Sequence, residues 1–191
     1  MKATCIIGSP HLDGSTVRLA ESLLSGLRDS GVQTVRYCVG QCRIHYCLGC
    51  KVCYETGRCV QSDDVEGIVT DLITSDLAII AAPSWWADVP GQLKVLFDRT
   101  TPYGDTNPNR ILQSKKPIRG IAIAVRAGVR ESENELLLNA IDHYFGHLGI
   151  EPFRRFSVTR TDSPEDLIRL HGDTLASLYA LGKTLGQGST K

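Results

Sequence analysis

The sequence has no excess of charge of either sign. Its 21 lysines and arginines balance its 21 aspartates and glutamates, so the formal net charge is 0 at pH 7. The chain therefore lacks the excess positive field that attracts a nucleic-acid backbone, and it has no acidic tract of the kind found in solvating tails. The composition argues against nucleic-acid binding and against intrinsic disorder.

Long hydrophobic runs are also missing. The N-terminal apolar run ends at residue 8, which is too early for the core of a signal peptide. The run over residues 77–83 has the length of a strand, whereas a membrane helix needs about 20 residues. We expect a soluble, cytoplasmic protein without a membrane partner, and a length of 191 residues predicts one domain.

Cysteine is present in an odd number and is concentrated in one segment. Six of the seven cysteines lie between residues 38 and 59. An odd count argues against a simple disulfide framework. In a reducing compartment such crowding indicates metal or redox chemistry before disulfides.

Strand-like and helix-like patterns alternate along the whole chain. The patterns predict strands at residues 2–7, 33–39, 76–83, 118–125 and 151–159, and helices at 15–27, 63–74, 90–99, 132–148 and 164–185. Residues 42–61 have no apolar period and are predicted to form a loop. We expect Ser62 to cap the second helix and Pro90 to lie in the first turn of the third. In the last helix, the leucines expected to face inward are Leu167, Leu170, Leu178 and Leu181.

This alternation predicts a single α/β domain over residues 1–191, built on a doubly wound parallel sheet with a cysteine-rich insertion at about 42–61. Two strand orders are common for this pattern, and in both the ligand binds beyond the carboxyl ends of the strands at a topological switch point. We expect the flavodoxin-like order 2-1-3-4-5, in which strands 1 and 3 flank that point. The connections at residues 9–16 and 84–89 would then face the ligand.

The connection after the first strand has the composition of a phosphate-binding loop. Residues 8–16 read G-S-P-H-L-D-G-S-T, and they supply three hydroxyls, two glycines and a helix N-terminus. The loop lacks the lysine of a Walker A motif, and no G-x-G-x-x-G follows the strand. It favours a mononucleotide over ATP or a dinucleotide. The alternative is a hydroxyl cap on a polar turn.

Two adjacent tryptophans follow the most buried strand. Trp85 and Trp86 cannot both enter the same core, so we expect at least one at the mouth of the cleft, where it can stack on a planar ring. A core position or an oligomer contact is the alternative for either one. After the fourth strand, Ala127 and Gly128 allow close approach of a ligand, and Arg126 or Arg130 is a candidate to neutralise an anion.

Four cysteines have the spacing C-x2-C-x2-C-x5-C. These are Cys47, Cys50, Cys53 and Cys59. Successive three-residue spacings are used to bind an iron–sulfur cluster, whereas structural zinc sites usually use two C-x2-C knuckles farther apart. Free thiols, zinc and a disulfide remain the alternatives. Cys5 and Cys38 fall in predicted strands and are interpreted as small buried residues.

Three motifs together resemble the iron–sulfur flavoprotein branch of the NADPH-dependent FMN reductases over residues 2–130. They are G-S-P-x-x-x-G-S-T, the cysteine motif followed by Asp63-Asp64, and P-S-W-W-x-x-x-P followed by Leu93-Lys94 and Asp98-Arg99. The resemblance implies that the FMN phosphate is held by Ser9, His11, Gly14, Ser15 and Thr16. It implies that the isoalloxazine ring is lined by Pro83, Ser84, Trp85, Trp86, Ala127 and Gly128. It also implies a [4Fe-4S] cluster on Cys47, Cys50, Cys53 and Cys59.

The resulting expectation is an FMN-dependent oxidoreductase, also carrying a [4Fe-4S] cluster. It would move electrons between NAD(P)H or a reduced small molecule and an acceptor, either a small molecule or an electron-carrier protein. Because the flavin supplies the reactivity, no catalytic side chain is assigned. The resemblance also implies a homodimer or homotetramer. The alternatives are a dehydrogenase of one biosynthetic intermediate, such as an aminodeoxychorismate-type acid, a non-enzymatic electron carrier or redox sensor, and a zinc-stabilised interaction domain.

Two features remain outside this scheme. His143 and His147 have helical spacing but no evident third ligand, so the sequence favours surface histidines over a metal site. Residues 100–116 form an unusually long connection, which would cover the flavin or contact another subunit.

Overall fold

Five parallel strands form one sheet in the computed structural model, which describes residues 1–188. The strands are β1 (Lys2–Ile7), β2 (Gln33–Cys38), β3 (Leu77–Pro83), β4 (Ile118–Val125) and β5 (Ile150–Val158). Their order is β2-β1-β3-β4-β5, and every neighbouring pair is parallel. The predicted flavodoxin-like order is therefore confirmed.

Helices cover both faces of this sheet. They are α1 (Ser15–Arg28), α2 (Val52–Thr56), α3 (Val65–Thr74), α4 (Gly91–Arg99), α5 (Glu131–His147) and α6 (Pro164–Gln187). The core beneath α3, α4 and α5 contains Ile80 and Ala82 of β3, and the core beneath α1 and α6 contains Ile79 and Ala81. A central strand buried on both faces is therefore continuously apolar, as the sequence of β3 indicates.

The cysteine-rich connection differs from the predicted loop because it contains α2. Gly49 and Lys51 adopt left-handed backbone conformations, with φ of 64° and 60°, and Lys51 is the residue directly before α2. Gly57, with φ of 73°, ends the helix. No apolar period marks so short a helix, and side-chain amides from a distant connection bond its carbonyl groups.

Two predicted helix starts were wrong. Ser62 does not cap α3, since the helix begins at Val65, and the Asp63 carboxylate accepts the Val65 N–H at 3.2 Å. Pro90 lies at the N-cap of α4, one residue before the helix, and not in its first turn. In both cases the side-chain preferences are those of a helix start, but the helix begins one or two residues later than predicted.

Leu170 also differs from its predicted position. It is 44% exposed, whereas Leu167 and Leu178 are buried and Leu181 is half-buried against the core. The backbone of His171 leaves the helical region, with φ −134° and ψ 27°, so α6 has a kink. Because of this kink, the two halves of α6 do not present the same face of one regular helix to the core. Among residues 1–188, no helix combines the length and apolar character needed to span a membrane.

Candidate functional site

A cleft of about 700 Å³ opens at the carboxyl edge of the sheet. Its walls come from the connections that follow β1, β3, β4 and β5, which the parallel topology brings to the same edge. A volume of this size is typical of a site for a small organic ligand.

The connection after β1 forms one end of the cleft. Gly14 stands at the N-cap of α1 with no side-chain hydrogen bond to the first turn. The Ser9 hydroxyl accepts the His11 N–H at 3.2 Å, which tightens the turn, and Ser9 and Thr16 are buried. The Ser15 hydroxyl donates to Ser163 O at 3.0 Å. The N–H groups at the start of α1 therefore face the cleft without a capping side chain, an arrangement suited to an anion.

Ser84 provides a hydroxyl in the floor of the cleft. The Ser84 N–H donates to Val125 O at 2.7 Å, which ties the end of β3 to the end of β4. The Ser84 Oγ atom is buried and has no hydrogen-bond partner. A buried polar atom without a partner costs about 1–3 kcal/mol, so this atom is suited to bonding a ligand.

The tryptophan pair forms a tight turn beside the cleft. Trp85 and Asp88 exchange two backbone bonds of 3.1 Å, and Trp86 and Ala87 between them have φ of 56° and 63°. A turn with two positive φ values normally uses glycine or asparagine, so non-glycine residues there are strained. Trp85 lines the cleft at 44% exposure, and Trp86 is 100% exposed at the tip of the turn.

Arg126 supplies a cation to the wall that follows β4. Its guanidinium pairs with Glu133, and Nη1 donates to Arg130 O at 3.3 Å. Its Nε atom is buried and has no partner. A Cβ atom at Gly128 would lie 2.6 Å from Arg126 Nη2, so the glycine leaves space for the arginine side chain.

The wall from the β5–α6 connection was not found by sequence reasoning. Thr161, Asp162, Pro164 and Glu165 line the cleft there. The only signal available was that a loop rich in hydroxyl groups follows the last strand. Its position beside the loop after β1 depends on the packing of α6 against α1.

The structure brings most of the predicted cofactor residues to one cleft. The residues that line it are Ser9, His11, Gly14, Ser15, Thr16, Pro83, Ser84, Trp85 and Ala127. Trp86 and Gly128 are not part of its lining. That these residues bind FMN stays a prediction.

The four cysteines of the spaced motif line a separate small pocket. Cys47 and Cys50 are exposed, Cys53 and Cys59 are half-buried, and Leu48 and Pro102 add apolar surface. Burial raises the pKa of the Cys53 thiol, and the neighbouring Cys59, Cys50 and Cys47 raise it further. Yet no three His, Cys, Asp or Glu side chains within residues 1–188 converge closely enough to bind a metal ion. The donor set fits an iron–sulfur cluster, but the sulfur atoms would have to move inward to bind one.

A buried ion pair closes the base of this cysteine segment. The Arg99 guanidinium of α4 donates to both carboxylate oxygens of Asp63, at 2.7 and 3.2 Å, and to His45 O at 2.7 Å. The His45 N–H in turn donates to Asp63 at 3.0 Å. Both charged side chains are 1% exposed. Because residues 45 and 63 lie on either side of all four cysteines, this clamp fixes both ends of the segment to α4.

The long connection after α4 holds the middle of the cysteine segment. Asn107 Nδ2 donates to Cys53 O at 3.0 Å, and Asn109 Nδ2 donates to Tyr54 O at 2.5 Å. None of the residues of this connection lines the cleft, and that it covers the flavin or contacts another subunit stays a prediction. The contact is with α2 because the amide side chains satisfy carbonyl groups near its ends.

Comparison with known proteins gives evidence about the family of this chain that is independent of the geometry of the cleft. Residues 1–152 match the family model described as NADPH-dependent FMN reductase. An iron-sulfur flavoprotein of Archaeoglobus fulgidus is 34% identical over 133 residues, which cover 70% of this chain and 58% of that protein. An iron-sulfur flavoprotein of Methanocaldococcus jannaschii is 32% identical over 146 residues, covering 76% of this chain and 72% of that protein.

A solved structure is similar over almost the whole chain. The NAD(P)H:quinone oxidoreductase from Methanothermobacter marburgensis has a TM-score of 0.70, and the superposition covers 97% of this chain and 96% of that one. The sequences are 15% identical, so this likeness supports the fold alone.

Proposed function

The chain belongs to the NADPH-dependent FMN reductase family of flavin-dependent oxidoreductases, in its iron–sulfur flavoprotein branch, and we propose that it carries FMN in the cleft at the carboxyl edge of the sheet. The observation that carries the proposal is the pair of buried, unpartnered polar atoms, Ser84 Oγ and Arg126 Nε, on residues that line this cleft. The uncapped start of α1 lines the same cavity.

The loop after β1 is the site for the phosphate. The N–H groups of the first turn of α1 and the Thr16 hydroxyl provide neutral donors, and the helix dipole favours an anion there. The Ser9 and Ser15 hydroxyls would join them by exchanging their bonds to His11 O and Ser163 O for bonds to the phosphate. Asp13 lines the same region, so the phosphate would bind through N–H groups and hydroxyls and not through an excess of positive charge.

The opposite half of the cleft is the site for the ring system. Ser84 and Arg126 offer hydrogen bonds to polar ring atoms, and the Trp85 indole offers a flat apolar surface. When bound, FMN supplies the hydride and electron chemistry. The side chains of the cleft hold the ring, orient it and set the charge around it.

We place the [4Fe-4S] cluster on Cys47, Cys50, Cys53 and Cys59. Four thiolates are the usual ligand set, the four residues share one pocket, and the Arg99 cation at the pocket wall would balance negative charge on the sulfur atoms. When bound, the cluster supplies transfer of single electrons. The clamp formed by Arg99 and Asp63 and the bonds from Asn107 and Asn109 keep the segment against the domain.

The wider role we propose is transfer of electrons between NAD(P)H, or a reduced small molecule, and an acceptor. We further propose a homodimer or homotetramer in the cytoplasm, where the thiols stay reduced. The fully exposed Trp86 and the exposed Tyr46 and Leu48 support a subunit contact near the two sites.

Purification without oxygen, followed by a visible spectrum and titration of the apoprotein with FMN, tests the cofactor. We expect stoichiometric binding of FMN with quenching of its fluorescence, and a broad additional absorbance when iron and sulfide are supplied. An apoprotein that binds no FMN would overturn the proposal. Normal FMN uptake together with failure to retain iron would reject only the cluster.

Anaerobic turnover tests the electron donor. We expect NADPH to bleach the bound flavin and a quinone to restore its colour. Bleaching by a small organic acid and not by NADPH would identify a dedicated dehydrogenase. Bound flavin that no donor reduces catalytically would identify an electron carrier.

A further inference from the structure

Two histidines and an aspartate form a cluster away from both the cleft and the cysteine segment. His143 and His147 of α5 lie one helical turn apart, with their Nε2 atoms 3.1 Å from each other. The Nδ1 atom of His147 is 2.7 Å from Asp105 Oδ1. We propose that the two Nε2 atoms bind a divalent transition-metal ion of the zinc class, with Asp105 supporting His147 from behind.

The distance between the two nitrogens suits one metal ion. Two zinc–nitrogen bonds of about 2.05 Å that meet at about 100° separate the nitrogens by about 3.1 Å. The His147 side chain is 42% exposed and His143 is exposed, so an ion can reach the pair from solvent. Imidazole nitrogens favour zinc, copper and nickel over calcium and magnesium.

Asp105 determines which nitrogen of His147 is free. In neutral His147 the Nδ1–H donates to the Asp105 carboxylate, which leaves Nε2 as the nitrogen with a lone pair, on the side of His143. In the absence of metal, His143 donates its Nε2–H to that lone pair. When a metal ion takes the place of this hydrogen, the His143 proton moves to Nδ1, and the pair as a whole loses no proton.

The site also connects α5 to the segment that supports the cysteines. The Asp105 N–H donates to His147 O at 2.8 Å, and Asn107 and Asn109 follow two and four residues later. Within residues 1–188 no third protein ligand is in reach, so water molecules complete the coordination. An ion there would fix His147 and Asp105 together and, through them, the turn that bonds Cys53 and Tyr54.

Zinc titration of the chain with ¹⁵N-labelled histidine side chains tests the proposal independently of any flavin or cluster. The chain has five histidines, and each can be assigned by substitution. We expect the Nε2 signals of His143 and His147 to shift together and saturate together. Because cysteines also bind zinc, unchanged signals at both histidines while zinc is taken up would overturn the inference.

Variants separate a metal site from a structural contact. His143→Gln should bind one zinc ion fewer than the wild type and remove the response of His147. Asp105→Asn should weaken zinc binding about 10- to 100-fold, the usual effect of losing such a supporting carboxylate. Glu135→Gln, at an exposed position of the same helix, is the matched control and should bind zinc as the wild type does. Equal zinc stoichiometry in the wild type and His143→Gln would contradict the site.

Discussion

Ser84 and Ser22 both carry hydroxyls against the core, but their surroundings differ. The Ser22 hydroxyl donates to Leu175 O at 2.7 Å and joins α1 to α6, whereas the Ser84 hydroxyl has no partner. A hydroxyl that serves the fold has its bond already. A hydroxyl that is buried at a cleft without a hydrogen bond gains one only when a ligand binds. Removal of the hydroxyl should therefore lower ligand affinity at Ser84 and protein stability at Ser22.

Ser84→Ala should weaken FMN binding by about 2- to 12-fold, the equivalent of one hydrogen bond of about 0.5–1.5 kcal/mol. The stability of the apoprotein should not fall, because the hydroxyl has no partner to lose. Ser22→Ala is the control and should lower stability without changing FMN affinity. Fluorescence titration and urea unfolding measure the two quantities. Wild-type FMN affinity in Ser84→Ala would remove this serine from the site.

Arg99 and Arg58 offer a second comparison between residues of one type. Arg99→Met leaves the Asp63 carboxylate buried without its partner, so unfolding free energy should fall by about 3–5 kcal/mol. Arg58→Met, which breaks an exposed pair with Glu66, should change it by less than about 1 kcal/mol.

The reactivity of the cysteines distinguishes two roles for Arg99. If Arg99 only stabilises the fold, the alkylation rate of the cysteines should not depend on the geometry of its donors; if it also positions them, the rate should. In Arg99→Lys, which retains the charge but not the fork of donors, we expect faster alkylation of the four cysteines and less bound iron after reconstitution, with FMN affinity unchanged. Alkylation rates equal to those of the wild type would show that the clamp does not hold the segment.

Between elements, the close approach of α1 and α6 depends on the absence of two side chains. A Cβ atom at Gly26 would lie 2.1 Å from Tyr179 O, and one at Gly182 would lie 2.4 Å from Leu23 O. The contact places the β5–α6 connection, with Thr161 and Asp162, beside the connection that follows β1. Helix packing thus completes a cleft whose other walls come from the strands.

Gly26→Ala should therefore destabilise the fold by about 1–3 kcal/mol, because the backbone of α6 cannot move away without opening the core. Gly146→Ala is the matched control. A Cβ there meets nothing within 4 Å, so better helix propensity should stabilise α5 by about 0.5–1 kcal/mol. Urea unfolding measures both. A stabilised Gly26→Ala would mean that the helices are not in close contact.

Across the whole molecule, ionised aspartates link distant parts of the chain. Burial raises the pKa of Asp71, but hydrogen bonds from Lys2 and Tyr37 outweigh it, and the pKa lies below its ordinary value. The pKa values of Asp63 and Asp76 are lowered in the same way, by Arg99 and Lys116 respectively. A lowered pKa in the folded state means that unfolding must take up protons as the solution becomes acidic.

Stability from these groups is therefore fully present above the ordinary aspartate pKa of about 3.9 and is lost as pH falls through the lower folded values. In Asp71→Asn the chain should be less stable at pH 7, and its difference from the wild type should shrink below about pH 4. Asp173→Asn, at an exposed position of α6, is the control. Urea unfolding at several pH values checks this, and a difference that stays constant down to acid pH would contradict it.

Local sequence signals were sufficient where one residue acts on its own element. Continuous apolar residues identify β3, the glycine and hydroxyl pattern identifies the turn into α1, and cysteine spacing identifies one segment. They were insufficient where a partner is remote. The helix α2 was predicted as a loop because the amides of Asn107 and Asn109, more than 50 residues away, bond its carbonyl groups. Leu170 and Ser62 were mispredicted for local reasons, namely the kink at His171 and the Asp63 carboxylate that bonds the Val65 N–H.

The sequence alone determined the parallel α/β architecture, the edge at which the cleft lies and most of its lining, because alternating strands and helices allow few topologies and the topology fixes which loops meet. The alternation left two common strand orders, and the unusual connections after strands 1 and 3 favoured the order that is found. Only the tertiary structure decided which polar atoms are left without partners, that Arg99 clamps the cysteine segment, and that Asp105 supports the histidine pair. Those contacts join residues separated by 36 or more positions in the chain, and such pairings depend on packing and not on local pattern.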